Sequence, residues 1–222
     1  WHGFKLYLTN YNYLEILTHI GHSEKVLFMR VFIAVLVLIF SLQSWTKADD
    51  ISEFEIEGMS IGDSLLSIAT KMEINKAKSS NQYPNDKFII YYLEELKPLK
   101  NYDWVSVTTK KNEKNYIVTN IGGAISYKKL DKCLELQKEI QKDVERLFKA
   151  IDKQENIYAS QQDKTGNSKV YGVQYYLKPY PSNESIAINC YHMTDASNLE
   201  KSLKVTVNSE EYAYFIINEA YK

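Results

Sequence analysis

Arginine is nearly missing from this 222-residue chain, which has only Arg30 and Arg146. Bidentate recognition of carboxylates and phosphates relies on the guanidinium fork, so that chemistry has almost no material here. Histidine is scarce too, limited to His2, His19, His22 and His192. A metal site needs three or four converging ligands, and the sequence has neither a histidine cluster nor a closely spaced cysteine pair. No metal and no cofactor is expected. The lysines are scattered through a chain of net charge −1. No basic face is available to neutralise a phosphate backbone, so nucleic acid is not an expected partner.

The one long apolar run is also short of a membrane span. Val31 to Phe40 is unbroken, but Ser41, Gln43 and Ser44 end it well before the roughly 18 residues a spanning helix needs. Arg30 precedes the run, and Thr46-Lys47-Ala48 places small residues where a signal peptidase reads. Residues 29–48 therefore read as a secretory signal peptide. No cysteine near the cleavage point suggests a lipid anchor. The expected location is periplasmic or secreted, with membrane contact only through the signal peptide before cleavage. The alternative is an uncleaved anchor with Trp45 and Lys47 at the interface. Residues 1–28 precede the first methionine, Met29, and read as upstream translation or a disordered leader.

The mature part, 49–222, carries 23 basic and 26 acidic side chains and keeps one histidine, His192. Its length suits one domain or two small, closely packed ones. Phe54 and Ile56 alternate with Glu53, Glu55 and Glu57 as in a short edge strand, and Gly58 turns it. Ser60-x-x-Asp63 is a capping pair, predicting a helix with Leu65, Ile68, Ala69 and Met72 on one face. The polar stretch 76–87 reads as a loop. Strands are expected at 88–93, 104–109 and 116–121, the last two as a hairpin around 110–115, with a bend at Gly122-Gly123 before Ile125 and Tyr127.

From Leu130 to Ile151 the apolar residues Cys133, Leu136, Ile140, Val144, Leu147 and Ile151 recur at helical steps. The other face is charged, so this main helix must dock its stripe on a sheet. After a loop through Asp163 to Ser168, alternation at Tyr171 to Leu177, Ile186 to Cys190 and Leu203 to Val207 marks three antiparallel strands. Ser209 then caps a last helix with Tyr212, Phe215, Ile216 and Ala220 on its buried side. The fold class is α+β, an antiparallel sheet or sheets with packed helices. The element order suggests two α-β-β-β halves, 49–127 and 128–222, although no residue-level repeat supports duplication.

The strings FEIEGMSIGDSLL and YIVTNIGGAISYKKLDKCL, with an export signal ending in KADD, resemble an uncharacterised family of small exported proteins from marine alphaproteobacteria. The resemblance covers most of the mature chain and implies export, but no known activity. Gly58-Met59-Ser60 before a hairpin is similar, on three residues, to the small modules of β-lactamase-inhibitor-like and envelope-assembly proteins.

Three constellations carry possible chemistry. Gly62-Asp63-Ser64-Leu65 resembles the nucleophile block of GDSL-type esterases, in which the serine attacks an acyl carbonyl and needs a histidine base oriented by an acid. That implies Ser64, His192 and Asp195 as a triad. The chain departs from the family: it has His-x-x-Asp where the family has Asp-x-x-His, and it lacks a Gly-x-Asn-Asp block and a parallel sheet. Ser64 is better explained as a first-turn helix residue. His192 and Asp195 alone make a weak, two-ligand metal site, and a surface histidine is the ordinary reading. Tyr91, Tyr92, Tyr171, Tyr175, Tyr176 and Tyr191 fall on strands, where an exposed row would stack sugars or peptides and a buried set would simply pack.

Cys133 and Cys190 are the only cysteines. Export would deliver them to an oxidising compartment, and docking the main helix on the strand of Ile186 and Ile188 would bring them together, so a disulfide is expected. Two buried thiols are the alternative. The reading overall is an exported cell-envelope protein, a non-catalytic binding or structural module whose partner is an unidentified ligand or envelope protein. The enzymatic alternative is an exported GDSL-like esterase using Ser64 and His192.

Overall fold

The structure, a computed structural model, describes residues 50–148, 152–179, 182–197 and 199–221. The expected leader (1–28) and signal peptide (29–48) lie outside the described residues. Seven strands form one antiparallel sheet: β1 (Phe88–Tyr92), β2 (Trp104–Lys110), β3 (Val118–Ser126), β4 (Asp152–Ala159), β5 (Lys169–Tyr176), β6 (Ser185–His192) and β7 (Ser202–Asn208). Their order is β1-β2-β3-β7-β6-β5-β4. Among the described residues three α-helices accompany them: α1 (Lys71–Lys76), α2 (Leu130–Leu147) and α3 (Glu210–Asn218). Two meanders, β1–β3 and β4–β7, are thus joined edge to edge by the β3–β7 pair, in register from Asn120↔Asn208 to Ser126↔Ser202. The fold is α+β.

Strand periodicity assigns the two faces. On one face Val105, Val107, Ile121, Ile186, Ile188, Cys190, Leu203, Val205 and Val207 are all buried. Helix α2 covers the β5–β7 part of this core, and Cys133 in its first turns is disulfide-bonded to Cys190 of β6 with Cα atoms 6.0 Å apart. The expected bridge is present. The side chains α2 buries are Cys133, Gln137, Gln141 and Val144, while Leu136, Ile140 and Leu147 pack at its margin. Gln137 is accommodated because its Nε2 donates to the carbonyls of Tyr171 (2.9 Å) and Ile188 (2.7 Å). A buried amide so partnered avoids the desolvation penalty.

Several sequence expectations are corrected here. No helix follows Ser60: Asp63 Oδ2 accepts from Ser60 N at 2.8 Å, and only a 3-10 turn, Leu65–Ser67, forms. The helix begins ten residues later at Thr70, where Thr70 and Glu73 make a reciprocal capping box, and Met72 is exposed rather than core-facing. A capping pair nucleates a helix only where tertiary contacts leave the following residues free to coil. Here Leu65 N is taken by Tyr116 O.

Phe54–Ile56 is no strand either. Ile56 bridges Met59 across a turn with Glu57 and Gly58 both at positive φ (54° and 71°), the pattern of a type I′ turn. The Glu57 carboxylate accepts the N–H groups of Lys100, Asn101 and Tyr102, which ties this turn to the segment before β2.

Gly122-Gly123 does not bend the chain but lies within an unbroken β3. Helix α2 stops at Leu147, and the expected final stripe residue, Ile151, lies outside the described residues. The strand β4 was not legible as one: DKQENIYA is polar, exposed throughout and paired to β5 over eight residues. The second half therefore has four strands, not three, and the two halves share a single sheet.

Candidate functional site

The second face of the sheet is polar, and part of it is roofed. Register aligns Tyr92, Ser106, Gly122, Thr206, Ala187 and Gln174 in one row across six strands. The next row toward the β3 C-terminus holds Trp104, Ala124, Lys204 and Asn189. At the opposite end, helix α3 and the segment 79–83 rise above the face. Together they enclose a cleft of about 690 Å³ floored by these two rows apart from Ala124, a size typical of small-molecule sites.

An aromatic cluster builds the wall. Tyr83 packs edge-on against Phe215 (5.4 Å between centroids) and Tyr221 (5.9 Å), Phe88 meets Phe215 at 4.7 Å, and the Tyr83 and Tyr212 hydroxyls are 2.5 Å apart. Burial, with the neighbouring Tyr83, pushes the Tyr212 phenol far above its ordinary range. Both tyrosines therefore stay neutral, and their contact is a hydrogen bond, not an ion pair. Beneath the wall, Thr108 Oγ1 donates to Asn120 Oδ1 (3.2 Å), Asn120 Nδ2 donates to Asn208 Oδ1 (2.8 Å), and Asn208 Nδ2 donates to Ser185 Oγ (3.3 Å). This chain crosses four strands and fixes that end of the floor.

The middle of the floor is different. Thr206 and Gln174 make no side-chain hydrogen bond to a described residue, and neither does Lys204, whose Nζ stands 5.2 Å from the centroid of the Trp104 ring. No Asp or Glu lines the cleft among the described residues, which leaves Lys204 as its single charged side chain. Desolvation lowers the pKa of this ammonium, and no carboxylate offsets it. Gly122 keeps the floor open beside it: a Cβ there would lie 3.4 Å from Lys204 Cε and 3.5 Å from Thr206 Oγ1.

The residues singled out from sequence fall elsewhere. Ser64 Oγ donates to Asn115 O and accepts from Leu66 N (3.2 Å), so it caps the 3-10 turn. Its backbone bridges Ile117, just ahead of β3. His192 ends β6, beside Tyr191, which pairs with Ser202 and through it with Ser126 at the far end of β3. At a strand rise of about 3.3 Å per residue, Ser64 and His192 are on the order of 30 Å apart. Asp195 is paired with Lys201 at 2.8 Å, and that bond holds its carboxyl below the usual range. His192 Nδ1 is buried without a partner among the described residues. No group of three His, Cys, Asp or Glu side chains able to hold a metal occurs among the described residues, and no described helix is long and apolar enough to cross a membrane.

The strand tyrosines form no single row. Tyr91 and Tyr175 are buried in the core, the Tyr175 hydroxyl donating to Glu145 Oε1 at 2.9 Å. Of the six only Tyr92 lines the cleft. A second groove of about 600 Å³ lies between α2 and β4. There Lys153 bridges Glu145 (3.1 Å) and Glu155 (2.8 Å), so the charge of this lysine is already paired.

Trp104, Lys204, Thr206, Gln174 and the Tyr83–Tyr212 wall were not identified from sequence. Their only sequence signal is the polar phase of the strand alternation, which ordinarily denotes a solvated face. No protein-family model, curated protein or solved structure matches the chain. The functional reading rests on the cleft.

Proposed function

We propose that the protein is an exported, non-catalytic binding module of the cell envelope and that the roofed face of its sheet receives the ligand. One observation carries this reading: a cleft of about 690 Å³ whose central floor offers the side chains of Thr206, Gln174 and Lys204, none hydrogen-bonded to a described residue, beneath an aromatic wall. Convergent polar groups on a rigid, partly enclosed surface characterise binding sites. The Cys133–Cys190 bridge supports an oxidising compartment. The esterase reading draws no support from the geometry, since Ser64 and His192 stand at opposite ends of the sheet.

Two measurements test this. Thermal-shift screening of the full chain against saccharides, organic acids and short peptides is expected to find stabilising ligands. Their effect is expected to vanish in Ala187→Trp and Gly122→Met, which fill the floor. Ligands that bind both variants as tightly as wild type would move the site elsewhere. N-terminal sequencing of protein recovered from the producing cell's exterior or periplasm is expected to begin at Asp49.

A further inference from the structure

The chemistry of the cleft also specifies its ligand, provided the cleft is the binding site. We infer that it takes an acidic saccharide, a polyhydroxylated ring bearing a carboxylate that pairs with Lys204.

Charge comes first. Lys204 is the single charged side chain lining the cleft among the described residues, and its Nζ stands over the Trp104 ring, 5.2 Å from the centroid. A partly desolvated ammonium with only a ring quadrupole beside it gains most from an anion. One ammonium with no arginine nearby matches a singly charged carboxylate better than a phosphate dianion, which favours several donors.

The rest of the floor decides between sugar and peptide. Ser106, Thr206, Asn189 and Gln174 carry hydroxyl and amide groups, which donate and accept side by side as vicinal sugar hydroxyls do. Tyr92 and Tyr83 provide aromatic surface for the C–H face of a ring. A peptide would instead seek a free strand edge or apolar pockets. The floor strands β3, β7 and β6 are paired on both sides, and the outer edge of β1 is itself bonded to the 77–79 segment.

The test is calorimetric titration of the full chain with a galacturonic-acid tetramer, the same tetramer with its carboxylates reduced to hydroxymethyl groups, and a glutamate-rich tetrapeptide. The uronate is expected to bind at least tenfold more tightly than its reduced counterpart. Lys204→Gln should abolish that preference, and Lys204→Arg, which keeps the charge, should retain it. Binding of the uronate is also expected to weaken as pH rises through the lowered ammonium pKa of Lys204. Equal affinity for both sugars, or a preference that survives Lys204→Gln in a protein of unchanged melting temperature, overturns the inference. If only the peptide or the reduced sugar binds, and Ala187→Trp blocks it, the inference fails while the cleft remains the site. If no probe binds, the inference is rejected, and the screen above decides the cleft separately.

Discussion

The ring of Tyr102 occupies the space a side chain would take at Gly123: a Cβ there would meet Cδ1, Cε1 and Cγ at 2.5, 2.7 and 2.9 Å. On the other side of the strand, Gly122 leaves 3.4 Å to its nearest neighbour on the cleft floor. Adjacent glycines thus serve opposite faces, one seating an aromatic ring over the core and one keeping the cleft open. Gly123→Ala is expected to cost about 1–3 kcal/mol through overpacking. Gly122→Ala should stay within about 0.5 kcal/mol of wild type. In a Tyr102→Ala background the Gly123→Ala penalty should largely disappear. Urea unfolding of the four proteins in a double-mutant cycle measures this, and additive effects would mean the ring is not the obstacle.

The disulfide closes a separation of 57 residues. The chain-entropy relation gives stabilisation of about 4 kcal/mol for a loop of that length. Cys133→Ser with Cys190→Ser, compared with wild type with and without reductant, is expected to lower the urea midpoint by a corresponding amount. Alkylation of the denatured, unreduced protein should label neither cysteine.

Asp163 organises the loop between β4 and β5. Its carboxylate accepts from Ser168 Oγ (2.5 Å), Thr165 Oγ1 (2.7 Å), Thr165 N (2.9 Å) and Ser168 N (3.0 Å). These bonds, led by Ser168, hold its pKa far below the ordinary value. A depressed carboxyl stabilises the fold fully above its unfolded pKa of about 3.9, and loses that contribution as pH falls towards the folded value. Wild type should therefore exceed Asp163→Asn in stability at pH 5–7, with the gap narrowing below about pH 4. A gap that stays constant down to pH 2 would remove the carboxylate from this role.

Ser64 is a cap, not a nucleophile, in this geometry. Ser64→Ala removes the bonds to Asn115 O and Leu66 N and should cost about 1 kcal/mol, as loss of an N-cap does. Assayed on short acyl esters, wild type, Ser64→Ala and His192→Ala should be indistinguishable from background. Turnover by wild type that both substitutions abolish would restore the esterase reading.

Much of the core was legible because burial has a local period. Val105 and Val107, Ile186 to Cys190 and Leu203 to Val207 alternate in the sequence and are buried in the fold. Ser209 caps α3 as its position implied, accepting from Tyr212 N at 3.3 Å. The stripe holding Cys133 faces the strand holding Cys190. By contrast, β4 carries no apolar alternation: as an edge strand exposed along its length, it is held by backbone bonds to β5. Ser60-x-x-Asp63 misleads because Leu65 N is already bonded to Tyr116 O across the fold.

The sequence by itself determined the α+β class, the apolar core residues of the alternating strands, the main helix and the cysteine pairing, since these follow from side-chain periodicity and from there being only two cysteines. Only the tertiary structure decided that Trp104, Gly122, Lys204 and Thr206 share a cleft. Alternation marks them simply as not core. What encloses them is α3 and the segment 79–83, joined by the Tyr83–Tyr212 contact across 129 residues of chain. A local pattern cannot encode which distant segment roofs a polar face, because that depends on strand order and on where the packed helices end.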